Sequence, residues 1–316
     1  MSEDLQSARR GPSRDFRGVT VRAVGDSSLA DGGAPAYVST GAAVWKRFRR
    51  NRLAVVGLII VGLLVLMAVA APYLAPADPA RQSLVDRRTP PGAKYWLGAD
   101  EFGRDIASRL IFGSRLALVV GMLSVLIALT LGIALGAASA YWGGYVDEAI
   151  MRTLDLLLAF PYLLLAIVVV STLGIRLEST ILAVGLWATP GFARVVRGVV
   201  LTILGQEYVA AARAVGASTL RVVARHVLPN CLSVVVVYSA LYMANAILLE
   251  AALSFLGLGV KPPTPSWGLM VATGRDFLEI APHVATFPGL AIAVTVLGFN
   301  LLADGLRDAL DPKMVM

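Results

Sequence analysis

The sequence predicts an all-α integral membrane protein with about six transmembrane helices, and three observations predict it. The 316 residues are 57% hydrophobic and 16% charged, at a mean hydropathy of +0.73, far from the balance of a water-soluble domain of this length. Uncharged runs recur along the chain, bounded by charge, Gly or Pro. Arginines, which carry most of the net charge of +7, sit mainly at the ends of these runs, where they would meet phospholipid headgroups rather than nucleic acid. One cysteine, Cys231, excludes an internal disulfide, and two histidines, His226 and His283, leave no cluster of metal ligands.

In chain order, residues 1–44 are rich in Gly, Ser, Ala and Arg and read as a disordered cytoplasmic arm, because they hold too little apolar surface to offset the entropy of ordering. Leu53 to Ala71 is the first span, about 28 Å long as a helix. Ala-Val-Ala-Ala before Pro72 imitates a signal-peptide cleavage site, but the long lead and the length of the run argue for a retained helix. Further spans are expected at Leu116–Ala140, Leu156–Ile175, Ser179–Ala193, Leu232–Leu249 and Val284–Ala303. The fourth is short, with Arg194 and Arg197 snorkelling from its end while the helix continues to Leu204. Pro161 and the pair Pro190-Gly191 are expected to kink their helices. Gly132, Gly136 and Ala140 form a small-residue stripe, read as a packing seam. Glu250, in the fifth span beyond Asn245, should face the bundle interior, either lining a path or hydrogen-bonded to a neighbouring helix.

Lys46, Arg47, Arg49, Arg50 and Arg52 precede the first span, whereas residues 72–86 carry only Arg81. The positive-inside rule therefore places the amino terminus in the cytoplasm, and six spans return the carboxyl terminus there. Three regions follow: the arm 1–44, the first helix with its outer loop at 45–115, and a five-helix core at 116–316.

The most informative cytoplasmic stretch lies in 205–229 and includes QEYVAAARAVGASTLRVVARHVLP. It reads as helix, turn, helix. Glu207 to Val215 holds good helix formers, with Glu207 in the first turn and Gly216 placed for a left-handed cap. Ser218 or Thr219 can cap a second helix, Leu220 to Val227, which Pro229 stops. Tyr208, Ala211, Ala212 and Val215 share one face of the first helix, open to close approach by a partner.

The order Ala210-Ala211-Ala212, Gly216, His226, Leu228, Pro229 resembles the EAA loop of bacterial ABC importer permeases. Ala210 stands where that family has its Glu, and His226 where it has an aliphatic residue. Three further segments are similar to the dipeptide, oligopeptide and nickel branch, and to its second, "C"-type permease: 95–105 (YWLGADEFGRD), 253–268 (LSFLGLGVKPPTPSWG) and 300–312 (NLLADGLRDALDP). The resemblance runs from about Trp45 to Lys313. It implies the type I ABC importer permease fold, with this loop as a coupling helix seated on a cytoplasmic ATPase. Glu207, Tyr208, Ala211, Ala212, Arg213, Val215, Gly216, Leu228 and Pro229 would form the coupling surface, and Asn245 and Glu250 are candidates for the translocation path. It also implies four kinds of partner: a second homologous permease, two ATP-binding subunits holding ATP and Mg, an extracytoplasmic binding protein, and membrane lipid. The cargo would be a peptide, moved inward across the bacterial cytoplasmic membrane.

The outer segment has its own physical reading. Pro262, Pro263 and Pro265 stiffen an extended stretch, and Trp267 suits the headgroup level, so residues 255–267 form a rigid rim. None of the four lysines, Lys46, Lys94, Lys261 and Lys313, follows a Gly-x-x-x-x-Gly loop, so this chain is expected to hold no nucleotide and no cofactor. A secondary transporter is the alternative; it would show internal repeats with paired broken helices, and no such repeat is evident. A membrane enzyme lacks any His-Glu-x-x-His, Gly-x-Ser-x-Gly or opposed aspartate pair.

Overall fold

The computed structural model describes residues 40–223, 225 and 228–310. Among them the only β-type pairing is a single antiparallel bridge between Ala99 and Asp105; the regular elements are helices. The first, α1 (Thr40–Arg50), begins inside the stretch expected to be disordered. It is held because Phe48 buries itself against Ala54 and Ala309. Asn51 then divides α1 from α2 (Arg52–Val69): its side-chain oxygen accepts from the amides of Leu53 and Ala54, an N-cap that starts a new helix. The Asn51 amide also donates to Asp308 at the far end of the chain.

Beyond a short α3 (Ala71–Leu74) the outer loop leads to α4 (Ile106–Trp142). Asp105 caps α4 by accepting from the amide and hydroxyl of Ser108. At 37 residues α4 reaches about 55 Å, so it begins ten residues before the apolar run and stands well clear of a bilayer core.

The third apolar run is not one straight span. It is split between α5 (Gly144–Ala159) and α6 (Tyr162–Leu173), which meet at a bend of 92°. The cause is Pro161: it lacks an amide hydrogen and pushes the residue before it out of the helical region, and Phe160 is extended at φ −82°, ψ 132°. The expected kink at Pro190 is absent. Helix α7 (Leu177–Leu204) runs through it, held by burial along its length against α4. There Gly132 and Gly136 face Phe192 and Ala193 so closely that a methyl group at either would collide. The small-residue stripe is thus a helix seam.

Two short helices, α8 (Glu207–Ala214) and α9 (Thr219–Val222), precede α10 (Leu228–Phe255). The expected second loop helix is therefore α-helical only at its start, and His226 and Val227 lie outside the described residues. Pro229 stands in the first turn of α10, where a missing amide hydrogen does no harm. The chain closes with α11 (Trp267–Gly274) and α12 (His283–Leu310). Trp267 is not at a lipid surface as expected. It is buried, its ring filling the space left by Gly113 and its indole donating to the Leu110 carbonyl at 3.0 Å. Five helices are long and apolar enough to cross a membrane, or six if α5 and α6 count as one broken span.

Candidate functional site

The cytoplasmic loop is built on a buried anchor that the sequence pattern did not single out. Val209 is fully buried and packs with Val222, Val200, Ile203, Cys231 and Val235, so α8 and α9 are fixed to the ends of α7 and α10. The opposite face of α8 is open. Tyr208 and Ala211 are exposed, Ala212 is half-buried, and Val215 is 86% exposed. The fixed Val209 side and the open Ala211 side explain each other, since a face displayed to a partner needs a rigid footing.

Gly216 ends α8 at φ +82°, a left-handed conformation that glycine adopts without a side-chain clash. The Ala217 amide donates to the Ala212 carbonyl at 3.0 Å, the six-residue closure of a Schellman motif. Open space surrounds Gly216, with nothing within 4 Å of where a side chain would begin. Glu207 is exposed in the first turn of α8, and Pro229 is exposed at the start of α10. The side chains of Arg213 and Leu228 lie outside the described residues.

Asn245 and Glu250 are not brought together. Asn245 is exposed, its side chain donating to the Leu241 carbonyl at 3.2 Å. Glu250 is 3% exposed and accepts hydroxyl hydrogens from Ser254 at 2.7 Å and Ser266 at 3.0 Å. Ser266 also caps α11, so Glu250 ties α10 to the outer helix.

The outer loop carries a buried ionic cluster. Its charges look in sequence like ordinary loop residues. Arg104 donates to Asp100 at 2.6 Å and to Glu101 at 3.0 Å, with all three buried. The Arg109 Nε lies 3.5 Å from Asp100, an ionic contact without a hydrogen bond, while its Nη1 donates to the Pro79 carbonyl at 3.2 Å. Burial raises the Glu101 carboxyl above its ordinary value, and the neighbouring Asp100 charge adds to the effect. Nearer the surface, hydrogen bonds from Lys94 and then Ser83 hold the Asp86 carboxyl below its ordinary range. The His283 ring against the Ala99 carbonyl at 3.3 Å and the Trp267 bond complete a rigid outer platform on α4, α11 and α12.

A bundle of apolar helices with a firmly anchored, outward-facing cytoplasmic loop defines a membrane permease subunit that works with other chains. Residues 128–316 match the family described as binding-protein-dependent transport system inner membrane component, and residues 39–91 match the N-terminal transmembrane domain of oligopeptide transport permease C. The chain belongs to this family, as a permease of ABC importers in its dipeptide and glutathione branch. It is 43% identical over 277 residues to the dipeptide transport system permease protein DppC of Alkalihalophilus pseudofirmus, covering 88% of this chain and 91% of that protein. It is 46% identical to the di/tripeptide permease DppC of Pseudomonas aeruginosa, covering 85% and 91%. It is 45% identical to the glutathione permease GsiD of Pectobacterium atrosepticum, covering 85% and 90%. A structure of the MetNI methionine ABC transporter in inward-facing conformations aligns at a TM-score of 0.51 and 19% identity, covering 63% of this chain and 95% of that one; the likeness is one of fold.

Proposed function

We propose that this chain forms, with a second permease, the path by which di- or oligopeptides enter the cytoplasm, driven by ATP hydrolysis in two partner subunits. An extracytoplasmic binding protein would deliver the peptide to the outer platform, and ATP and Mg would be held entirely by the partners. Both termini are cytoplasmic in this reading. The lysines and arginines of 46–52 then face anionic lipid, and the loop 205–229 faces the ATPases.

The observation that carries the reading is the geometry of α8. Its Ala-rich outer face is exposed, its inner face is anchored through Val209 to α7 and α10, and its end is fixed by the left-handed Gly216. A push on such a helix passes into two long helices rather than into a slack loop. Closure of the ATPases would in this way switch the bundle between outward- and inward-open states.

The test is the whole complex in proteoliposomes, with Ala212→Arg and Gly216→Arg each compared with the wild type. The expected result is an assembled membrane complex that has lost peptide uptake, with ATP hydrolysis no longer stimulated by loaded binding protein or with the ATPase released. Normal uptake by either variant would remove the loop from the coupling.

A further inference from the structure

Two helices carry matching stripes that neither the helix seams nor the cytoplasmic loop uses. Trp187, Gly191 and Arg194 fall at i, i+4 and i+7 along α7, and Tyr238, Tyr242 and Asn245 do the same along α10. The rings join the two stripes. Trp187 lies 5.9 Å from Tyr242, Tyr242 lies 6.3 Å from Tyr238, and Tyr162 at the start of α6 reaches Trp187 at 5.7 Å. At one end Tyr162, Trp187 and Asn245 line an open cavity of about 180 Å³. About 10 Å further along α7, Arg194 pairs with Asp155 of α5, both side chains 50% exposed.

Gly191 has a defined part in this arrangement. A side chain there would run into the Tyr242 hydroxyl, so the glycine lets the phenol lie across the α7 backbone. The Pro190-Gly191 pair thus serves as a seat for Tyr242.

The stripe is unlike the other exposed faces of the bundle. Leu63 and Leu66 on α2, and Leu290, Val294 and Leu297 on α12, are exposed and wholly apolar, as lipid contact requires. The stripe instead presents an exposed amide and a half-exposed ion pair. Its Trp187 N–H and its Tyr238 and Tyr242 hydroxyls make no hydrogen bond among the described residues, and none of these atoms is sealed from open space. Unpartnered polar groups are costly against hydrocarbon and belong beside water or a polar ligand.

We propose that this aromatic and polar stripe is the surface of the chain that a peptide touches as it crosses, an inference that rests on the peptide-import reading above. Aromatic faces take apolar side chains and, through their quadrupoles, an ammonium group. The hydroxyls, the indole N–H and the Asn245 amide can bond peptide amides whatever the side chains are. Arg194 and Asp155 match the carboxylate and ammonium of a zwitterionic peptide. Several weak contacts spread along a path, with no deep pocket, let a cargo enter and leave.

The test uses the complete complex in membranes, in a Cys231→Ala background, with Trp187→Cys, Tyr242→Cys and Asn245→Cys introduced singly and Leu63→Cys as the lipid-facing control. Each is treated with a membrane-impermeant quaternary-ammonium thiosulfonate, with and without trialanine and binding protein, and labelled trialanine uptake is followed in parallel. The stripe positions are expected to react roughly tenfold faster than position 63, and trialanine to slow them severalfold. Asn245→Cys replaces an exposed side chain and is the variant least able to disturb packing. Rates at 245 no faster than at 63 overturn the stripe whatever the cargo. Fast reaction without protection, in a complex that imports trialanine, overturns its contact with the peptide. Fast reaction in a wild-type-competent assembly that imports no trialanine counts against peptide import and keeps the stripe as a water-lined path.

Discussion

Replacing Arg104 with Met should destabilise the outer platform far more than its position in a loop suggests. Arg104 is the only cation that hydrogen-bonds both Asp100 and Glu101 among the described residues, at 2.6 Å and 3.0 Å, and all three groups are buried. Methionine keeps most of the volume and removes the charge. Two carboxylates are then left in a nearly dry site, facing only Arg109, which is 3.5 Å from Asp100 and makes no hydrogen bond to it. Breaking a buried pair in this way costs about 3–5 kcal/mol, with up to about 1 kcal/mol more from the lost stacking of Arg104 on Phe102. For a chain of this size that is a fall of roughly 5–10 °C in the unfolding midpoint of the detergent-purified protein. The comparison is Arg152→Met, which breaks the exposed pair with Glu148 and should change the midpoint by less than about 1 °C. Equal midpoints for the two variants would refute the reasoning, because they would mean that the Arg104 cluster is solvated.

Other outcomes can be checked in the same preparations. Glu101 has a raised pKa, so its contribution to stability is fully present below the ordinary carboxylate pKa of about 4.3 and is lost as pH rises through the higher folded value. Hydrogen exchange in residues 83–105 should therefore quicken as pH climbs out of the acid range, after correction for intrinsic rates, and Glu101→Gln should flatten the dependence. Gly136→Val should separate α4 from α7, because its side chain would strike the Ala193 backbone; a loss of several kcal/mol, read as lost expression of folded protein, is expected. Glu250→Leu should cost about 1–3 kcal/mol for each serine hydroxyl left without its acceptor, whereas Glu250→Gln should retain most of the stability in a thermal melt. Gly216→Ala should cost on the order of 1 kcal/mol from backbone strain alone, since the space around it is open, and should leave assembly intact on size-exclusion chromatography.

Much of the architecture was legible because lipid imposes a simple code. Uncharged runs of sufficient length mark helices, and α2, α7, α10 and α12 each contain the run expected of them. The turn at Gly216 was equally legible, since a glycine after a helical stretch and before a polar one has few other uses. Proline was ambiguous. Pro161 breaks its helix and Pro190 does not, and the residues themselves do not tell the two apart. The difference is burial: Pro190 is packed between helices that hold α7 straight, while Phe160 beside Pro161 is 55% exposed and nothing resists the turn.

The sequence by itself determined that the chain lies in a membrane, where its helices fall, and, through its motifs, which family it resembles. These properties depend on composition and local spacing, which are one-dimensional. Which charges are buried, which tryptophan is interior, and which faces of α7 and α10 meet were decided only by the tertiary structure. Asp100 and Asp86 are both aspartates in one loop, yet one is locked beneath two arginines and the other sits near the surface with Lys94. Trp267 is an interior residue because Gly113, more than 150 residues away in sequence, leaves room for its ring. Contacts of that range depend on how the helices pack against one another, and no local pattern carries that information.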